Sequence, residues 1–193
     1  MASWDNSITH RMLKRRVLPW LLAVAAAYLL VLLAFWLGQE RLIYFPGPRP
    51  GPPPESPVLT LSEEWIETRD GVRLHGWLAV PRPRLGDAAT KPGDAATKPA
   101  GVVLVCHGNA GNIELRLPLA EAFAEMNFAT LLFDYRGYGA STGKASEEGT
   151  YRDAEAAFDR LAGEKGFARG RIAAFGESLG GAVAIELGLR RKL

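Results

Sequence analysis

The sequence predicts an α/β fold in which an antiparallel hairpin leads into parallel strands with helices on both faces, all preceded by one transmembrane helix. Three observations support this prediction. Residues 17–37 are an apolar run without a charged side chain. Two alternating segments are joined by Asp70-Gly71, a pair that favours a hairpin turn. After residue 100, apolar runs typical of buried strands alternate with helical periods, which indicates a parallel sheet.

The apolar run is long enough for one membrane crossing. Its length predicts a helix of about 31 Å, against roughly 30 Å of hydrocarbon in a bilayer. Residues 1–16 carry a net charge of +3, and the positive-inside bias places them in the cytoplasm. We therefore expect a single-pass membrane protein with its following domain outside the cytoplasm, in the periplasm if the source is bacterial. A cleaved signal peptide is the alternative, but its apolar core is usually shorter and small residues follow it.

Composition and charge exclude several classes of protein. With 48% hydrophobic and 23% charged residues, the chain has a core-forming composition, which excludes disorder throughout. The basic charge precedes the apolar run, so residues 17–193 sum to −1, which argues against nucleic-acid binding. The single cysteine, Cys106, excludes a disulfide framework and a structural zinc site. No metal or organic cofactor is predicted.

Two segments are predicted to lie outside the packed fold. Seven of the 13 prolines fall between Pro46 and Pro57, so residues 38–57 are interpreted as a semi-rigid, polyproline-type spacer. A ligand for SH3-type domains is the alternative, which the expected topology disfavours. Residues 86–99 repeat G-D-A-A-T-K-P in tandem, and we interpret them as a duplicated surface loop.

The domain is predicted over residues 58–193, and each element follows from its local pattern. Alternation of period two predicts the hairpin strands, at 58–69 and 72–80. Continuous apolar runs predict three buried parallel strands, at 101–106, 129–133 and 171–175. Helical periods follow them at about 117–126, 150–162 and 179–189. Because ligands bind at the carboxyl ends of parallel strands, the three loops there form the candidate site.

The loop after the third parallel strand carries the strongest motif. Residues 176–181 read G-E-S-L-G-G, a G-x-S-x-G pattern between an apolar strand and an apolar helix. A sharp strand-to-helix turn would hold Ser178 in a strained conformation, and the flanking glycines would avoid collisions with backbone. The hydroxyl would then be exposed at a helix N-terminus, whose amides stabilise developing negative charge. A simple turn is the alternative, and the flanking strand and helix favour a nucleophile instead.

The loop after the first parallel strand reads H-G-N-A-G-N over residues 107–112. His107 could be a catalytic base, but a histidine so close to the sheet core more often supports a loop through hydrogen bonds. The glycine-rich turn would instead let the backbone amide of Asn109 point to the space above Ser178. That amide would be a second donor to an oxyanion.

The loop after the second parallel strand, residues 134–141, narrowly misses two nucleotide-binding patterns. Its G-Y-G-A-S-T run has threonine where a dinucleotide fingerprint needs glycine or alanine, and G-A-S-T-G-K is one residue too short for a P-loop. We interpret this loop as a pocket wall that Asp134 and Arg136 hold in place.

Together the three loops carry a resemblance. The sequence resembles the α/β-hydrolase superfamily, and within it the membrane-anchored serine hydrolases of the serine-aminopeptidase-like branch. The likeness lies in three motifs, which occur in the order H-G-N-A-G-N, F-D-Y-R-G-Y-G-A-S-T-G and G-E-S-L-G-G. The stretch E-R-L-I-Y-F-P after the apolar run is similar to the same group. The resemblance extends from about residue 39 to the C-terminus. It implies the N-terminal half of an α/β-hydrolase sheet, a nucleophile at Ser178, and oxyanion amides from Asn109 and Leu179.

The catalytic acid and histidine of this superfamily follow the nucleophile in the chain. After Ser178 the sequence contains Glu186 but no histidine, and we interpret Glu186 as part of a solvated helix face. His10, His75 and His107 all precede the nucleophile. We therefore expect a domain that stops after the nucleophile turn, with an uncovered apolar strand edge and little or no activity as a chain of 193 residues.

The leading hypothesis is a membrane-anchored serine hydrolase that cleaves an ester, thioester or amide through an acyl-enzyme on Ser178. The expected partners are the lipid bilayer, through residues 17–37, and a small-molecule or peptide acyl substrate. The substrate's identity and the oligomeric state stay open. Two alternatives are a non-catalytic, membrane-tethered binding protein of the same fold and a cofactor-free haloperoxidase-type reaction.

Overall fold

The computed structural model describes residues 6–83 and 98–192, in two compact units that divide between Ile43 and Tyr44. The duplicated loop predicted at 86–99 falls almost entirely outside the described residues, so its conformation stays a prediction.

The first unit is the helix α1, Asn6–Ile43. Its segment Val17–Ile43 has a mean hydropathy of 2.5 and is long and apolar enough to cross a membrane. Apolar side chains such as Trp20 are exposed along it. The helix continues past the predicted end at residue 37 because residues 39–41, Gln-Glu-Arg, all favour helix.

The segment predicted as a semi-rigid spacer, residues 38–57, is helical to Ile43, and from Tyr44 on it belongs to the second unit. Phe45–Pro46 forms the short strand β1, which pairs in parallel with β5, Ala110–Gly111. The side chain of Asn112 also donates a hydrogen bond of 2.8 Å to the carbonyl of Pro48. Proline composition does not reveal such pairing, and the proline of β1 is tolerated because it lies on an edge strand.

The second unit is built on a five-stranded sheet in the order β2-β3-β6-β4-β7. The strands are β2, Leu59–Glu67; β3, Arg73–Pro81; β4, Gly101–Cys106; β6, Phe128–Phe133; and β7, Ile172–Gly176. β2 and β3 form the predicted antiparallel hairpin, β3 pairs antiparallel with β6, and β6, β4 and β7 are parallel. The predicted sheet is therefore confirmed, with strand ends shifted by one or two residues.

Three helices cover the two faces of the sheet. They are α2, Leu117–Glu125; α3, Glu147–Ala162; and α4, Leu179–Arg191. Val103 of β4 lies in the same core as Ala120 of α2. Its neighbour Leu104 lies in the opposite core, with Phe158 of α3 and Val183 of α4. This alternation along one strand confirms a sheet with helices on both faces.

The helix α3 begins three residues before its predicted start at residue 150. Ser146 caps it, because its side chain accepts a 3.2 Å hydrogen bond from the amide of Gly149. Glu147 and Glu148 occupy the first turn, where the helix dipole stabilises negative charge. The capping serine and two acidic residues mark this start better than the apolar period does.

The strand β7 is the outer strand at the end of the sheet away from the hairpin. Its Phe175 is 38% exposed, while Ile185 and Leu189 of α4 are 69% and 73% exposed. The uncovered strand edge and helix face that the sequence predicts are therefore present in the part of the chain that the structure describes.

Candidate active site

The backbone at Ser178 has an unusual conformation. Its φ is 54° and its ψ is −118°, a combination that residues with a Cβ rarely adopt. Ser178 lies between the end of β7 and the start of α4, and it is exposed. The strained turn thus leaves Ser178 exposed at the carboxyl end of β7.

Two of the glycines in the turn are sterically required. A Cβ on Gly180 would overlap the carbonyl of Cys106 at the end of β4, and a Cβ on Gly176 would overlap the backbone of Gly180. A Cβ on Gly181 would meet only one atom, at 3.9 Å, which is ordinary contact. The expected collision with backbone is therefore confirmed for Gly176 and Gly180, and it sets how closely α4 approaches β4.

The two predicted oxyanion donors lie on segments that flank Ser178. Leu179 is the first residue of α4, so its amide has no partner within the helix. Gly108 lies on the other side, where a Cβ would be 3.7 Å from the Cβ of Ser178. Asn109 follows Gly108 directly. The two segments thus come together at Ser178, and donation by the amides of Asn109 and Leu179 stays a prediction.

The carbonyl group of Asn109 is held by two hydrogen bonds. That oxygen accepts hydrogen bonds from the backbone amide of Phe45, at 2.9 Å, and from the hydroxyl of Tyr138, at 2.8 Å. Tyr138 is fully buried, and burial raises its pKa to about 12, so it remains a hydrogen-bond donor at neutral pH. The peptide unit that follows the predicted donor, between Asn109 and Ala110, is therefore held from two directions.

His107 supports the same loop from inside the protein. The ring is 1% exposed and stacks near Tyr135, with 4.3 Å between ring centroids. Because a carbonyl only accepts, Nδ1 donates the 2.7 Å hydrogen bond to the carbonyl of Gly108. Burial lowers the pKa of His107, although the charge of Asp134 opposes that effect. A buried, neutral histidine with Nδ1 engaged acts as a support for the loop and not as the base for an exposed serine.

Asp134 lies at the centre of this buried region. Its Oδ1 accepts a 2.9 Å hydrogen bond from the amide of Ile113 and lies 3.7 Å from Nε2 of His107. Its Oδ2 lies 3.9 Å from Nδ1 of His75. The carboxylate has no exposed surface. It therefore ties the end of β6 to the start of the helical turn that follows the loop of Asn109.

Arg136 joins three separate segments. Its guanidinium contacts Asp70, in the hairpin turn, at 2.8 Å and Asp153, in α3, also at 2.8 Å. The hydrogen bonds from Arg136 lower the pKa of Asp70, whereas burial raises the pKa of Asp153. Asp134 and Arg136 therefore anchor the loop of residues 134–141 through hydrogen bonds, as predicted. The role of that loop as a pocket wall stays a prediction.

Sequence reasoning missed a charged pair beside Ser178. Arg116 forms an ion pair with Glu177, with 2.9 Å between Nε and Oε2. Nη2 of Arg116 and the Cβ of Ser178 are both 3.7 Å from the place that a Cβ on Gly108 would occupy. No motif includes Arg116, since it lies on a short helical turn, Ile113–Arg116, without a recognisable period. It brings a positive charge to the edge of the site.

The remaining candidates for catalysis have other partners. Nε2 of His75 is 3.0 Å from Oε1 of Glu63, within the hairpin. Glu186 pairs with Arg190 at 2.8 Å along α4, as a helix-face residue would. Within residues 6–83 and 98–192, no group of three or more His, Cys, Asp or Glu residues is arranged to hold a metal ion. The described site thus combines an exposed serine in a strained turn with the segments of the two predicted oxyanion donors, an arrangement that would suit acyl transfer.

The sheet order, the strained serine and its two required glycines define an α/β-hydrolase fold. The family described as "Serine aminopeptidase, S33" matches residues 97–193, and the chain belongs to that family of the α/β-hydrolase superfamily.

Curated relatives and solved structures agree with this assignment. An uncharacterized protein of Mycobacterium tuberculosis is 43% identical over 93% of this chain and 59% of its own length. The alpha/beta hydrolase domain-containing protein WAV2 of Arabidopsis thaliana is 34% identical over 85% of this chain and 50% of its own. The Pyrococcus furiosus esterase Pf2001 superposes with a TM-score of 0.57 at 23% identity, over 74% of this chain and 52% of that one, and shows the fold. The chain therefore spans about half the length of these relatives.

Proposed function

We propose that this chain is the anchor and nucleophile-bearing part of a membrane-bound serine hydrolase that cleaves an ester, thioester or amide. The observation that carries the proposal is the strained backbone of the exposed Ser178, held between Gly176 and Gly180 at the start of α4. Such a turn is costly to maintain, and a nucleophile that must project above a sheet is a reason to maintain it.

The proposed reaction proceeds in two steps. The Oγ of Ser178 attacks the acyl carbon while a base takes its proton, and the amides of Leu179 and Asn109 stabilise the oxyanion. The leaving group departs with that proton, and water then hydrolyses the acyl-enzyme. By the family's chain order, the base is a histidine that follows Ser178, oriented by an acid.

Residues 179–193 include no histidine. We therefore expect little turnover from the polypeptide of 193 residues alone, since loss of the base slows a serine nucleophile by orders of magnitude. The full gene product is the form in which activity is expected.

The anchor completes the proposal. The segment Val17–Ile43 can cross a bilayer by length and composition, and the basic residues 1–16 favour a cytoplasmic N-terminus. The hydrolase domain would then lie outside the cytoplasm.

A fluorophosphonate probe tests the nucleophile on the full gene product in membranes. The serine oxygen bonds to phosphorus, and fluoride leaves with the serine's proton. We expect an adduct on Ser178 that is lost in Ser178→Ala and kept in Ser62→Ala, because Ser62 is exposed on the edge strand β2. If the wild type forms no adduct, or if Ser178→Ala forms as much adduct as the wild type, the result contradicts the proposal. It would then favour a non-catalytic binding protein of the same fold.

A further inference from the structure

The segment that leaves α1 is hydrogen-bonded directly to the loop beside the nucleophile. We call Tyr44–Pro48 the strap. The amide of Phe45 donates to the carbonyl of Asn109 at 2.9 Å, and the amide of Gly47 donates to the carbonyl of Gly111 at 2.7 Å. A Cβ on Gly47 would lie 2.7 Å from the backbone of Gly111, so glycine is needed for this approach. The strap is thus a built part of the site and not a passive linker.

Few residues separate the strap from the segment that can cross a membrane. Phe45 follows Ile43, the last residue of α1, by two positions, which span at most about 7 Å. Ala110, the partner of Phe45, follows Gly108 by two positions, and Gly108 lies against Ser178. The strap, which pairs with the loop beside Ser178, therefore begins directly after the segment that can cross a membrane.

Two large apolar side chains on this part of the domain are exposed. Phe45 is 53% exposed and Leu115 is 63% exposed. Both residues contact the short strand β5. Phe45 pairs with Ala110, and the side chain of Leu115 packs against Gly111. We call Phe45 and Leu115 the apolar rim. The rim contributes exposed apolar surface, which water does not favour.

We propose that the substrate is the long-chain acyl ester of a bilayer lipid, whose acyl chain passes over the apolar rim to reach Ser178. This inference rests on the proposed function, since it uses Ser178 as the nucleophile. The rim would take the chain as it leaves the bilayer, so that the scissile carbonyl meets the oxyanion loop that the strap holds. A short, soluble acyl group or a polar peptide would gain little from contact with the apolar rim.

The test compares two fluorophosphonates on the full gene product reconstituted in phosphatidylcholine vesicles. One probe carries a methyl chain and the other a tetradecyl chain, and mass spectrometry follows the rate at which Ser178 is modified. The readout is the ratio of the long-chain rate to the short-chain rate. In each variant the anchor and the vesicles are unchanged, so partition of the long probe into the bilayer cancels when ratios are compared between variants.

We expect the ratio to fall on the order of tenfold in Phe45→Ser and in Leu115→Ser, because each loses a large apolar contact with the chain. Phe45→Leu should retain most of the ratio, since it keeps an apolar side chain. Met126→Ser is the matched control: Met126 is 57% exposed at the end of α2, near the amino ends of the parallel strands, and its ratio should equal that of the wild type.

Two results would overturn the inference, and they are distinguishable. If Ser178 reacts with both probes but Phe45→Ser and Leu115→Ser keep the wild-type ratio, the lipid substrate is wrong and the serine nucleophile stands. If Ser178 reacts with neither probe in the wild type, the proposed function fails and the inference fails with it.

Discussion

The carbonyl of Cys106 occupies the place where Gly180 would carry a Cβ. Cys106 ends the strand β4, and Gly180 is the second residue of α4. Their contact lets the helix N-terminus approach the sheet closely enough for Ser178 to project above its edge. The geometry of the turn at Ser178 therefore depends on the absence of a Cβ at Gly180.

Gly180→Ala is expected to destabilise the domain by about 2 kcal/mol, because the added methyl group overlaps backbone that cannot rotate away. Thermal unfolding in detergent measures the change. Gly181→Ala is the control, since its Cβ would meet only one atom, at 3.9 Å, and helix propensity favours alanine. Equal melting temperatures for the two variants would show that the contact with Cys106 does not limit the turn.

His107 makes stability depend on pH in a predictable direction. Burial lowers the pKa of His107 in the folded protein, so below about pH 6.5 the unfolded chain binds a proton that the folded chain does not. Stability from this group is present at pH 7 and is lost as the pH falls toward 5, by at most about 1.4 kcal/mol per pH unit.

The comparison of wild type with His107→Asn isolates the contribution of this histidine to the pH dependence of stability. Asparagine keeps a donor near the position of Nδ1, so the hydrogen bond to the carbonyl of Gly108 can be retained. We expect the free energy of unfolding to fall less steeply between pH 7 and pH 5 in the variant. Parallel slopes for the two proteins would mean that His107 is not held neutral by burial.

Arg136→Lys should cost about 3 kcal/mol in unfolding free energy. Lysine cannot reproduce the two-sided contact with Asp70 and Asp153, and Asp153 is left buried with too few partners. Arg152→Lys is the control, because the side chain of Arg152 is 51% exposed and lies 3.4 Å from the same Asp70. Denaturant unfolding of both variants gives the comparison, and a loss below 1 kcal/mol in Arg136→Lys would contradict it.

The anchor should resist extraction by alkaline carbonate, because an apolar helix that spans the bilayer leaves only when the lipid is dissolved. A reporter that is active only outside the cytoplasm, fused after Leu193, should be active. Replacement of Lys14, Arg15 and Arg16 by Gln should reduce that activity by weakening the orientation signal. An active cytoplasmic reporter at the same fusion point would reverse the proposed topology.

Much of the fold was readable from local pattern. The alternating pattern around Asp70-Gly71 and the apolar run at β4 predicted the strand types. A strand that is buried on one face has apolar residues at every second position, and a strand that is buried on both faces is apolar throughout. The G-x-S-x-G motif located the turn at Ser178 because sterics leave few residues that can occupy it. Neighbours in the chain determine the strand types, and the motif records the turn although one of its glycines, Gly180, is required by the distant carbonyl of Cys106.

The rest depends on contacts between distant segments. Pairing of Phe45 with Ala110 joins positions 65 apart, and nothing in a proline-rich composition indicates it. Arg116 reaches the site because the turn at Ile113–Arg116 brings it there, and its partner Glu177 is distant in the chain. Such contacts depend on the assembled sheet, so local periodicity does not record them.

Trapping of the acyl-enzyme tests the central claim most directly. The full gene product is mixed with a long-chain p-nitrophenyl ester, quenched in acid within the first turnover and digested for mass spectrometry. Attack by Ser178 releases p-nitrophenol and leaves the acyl group on the serine oxygen, so we predict that acyl mass on the peptide containing Ser178, with none in Ser178→Ala. Release of p-nitrophenol with no acyl group on that peptide, or equal acylation after Ser178→Ala, would contradict a nucleophile at Ser178.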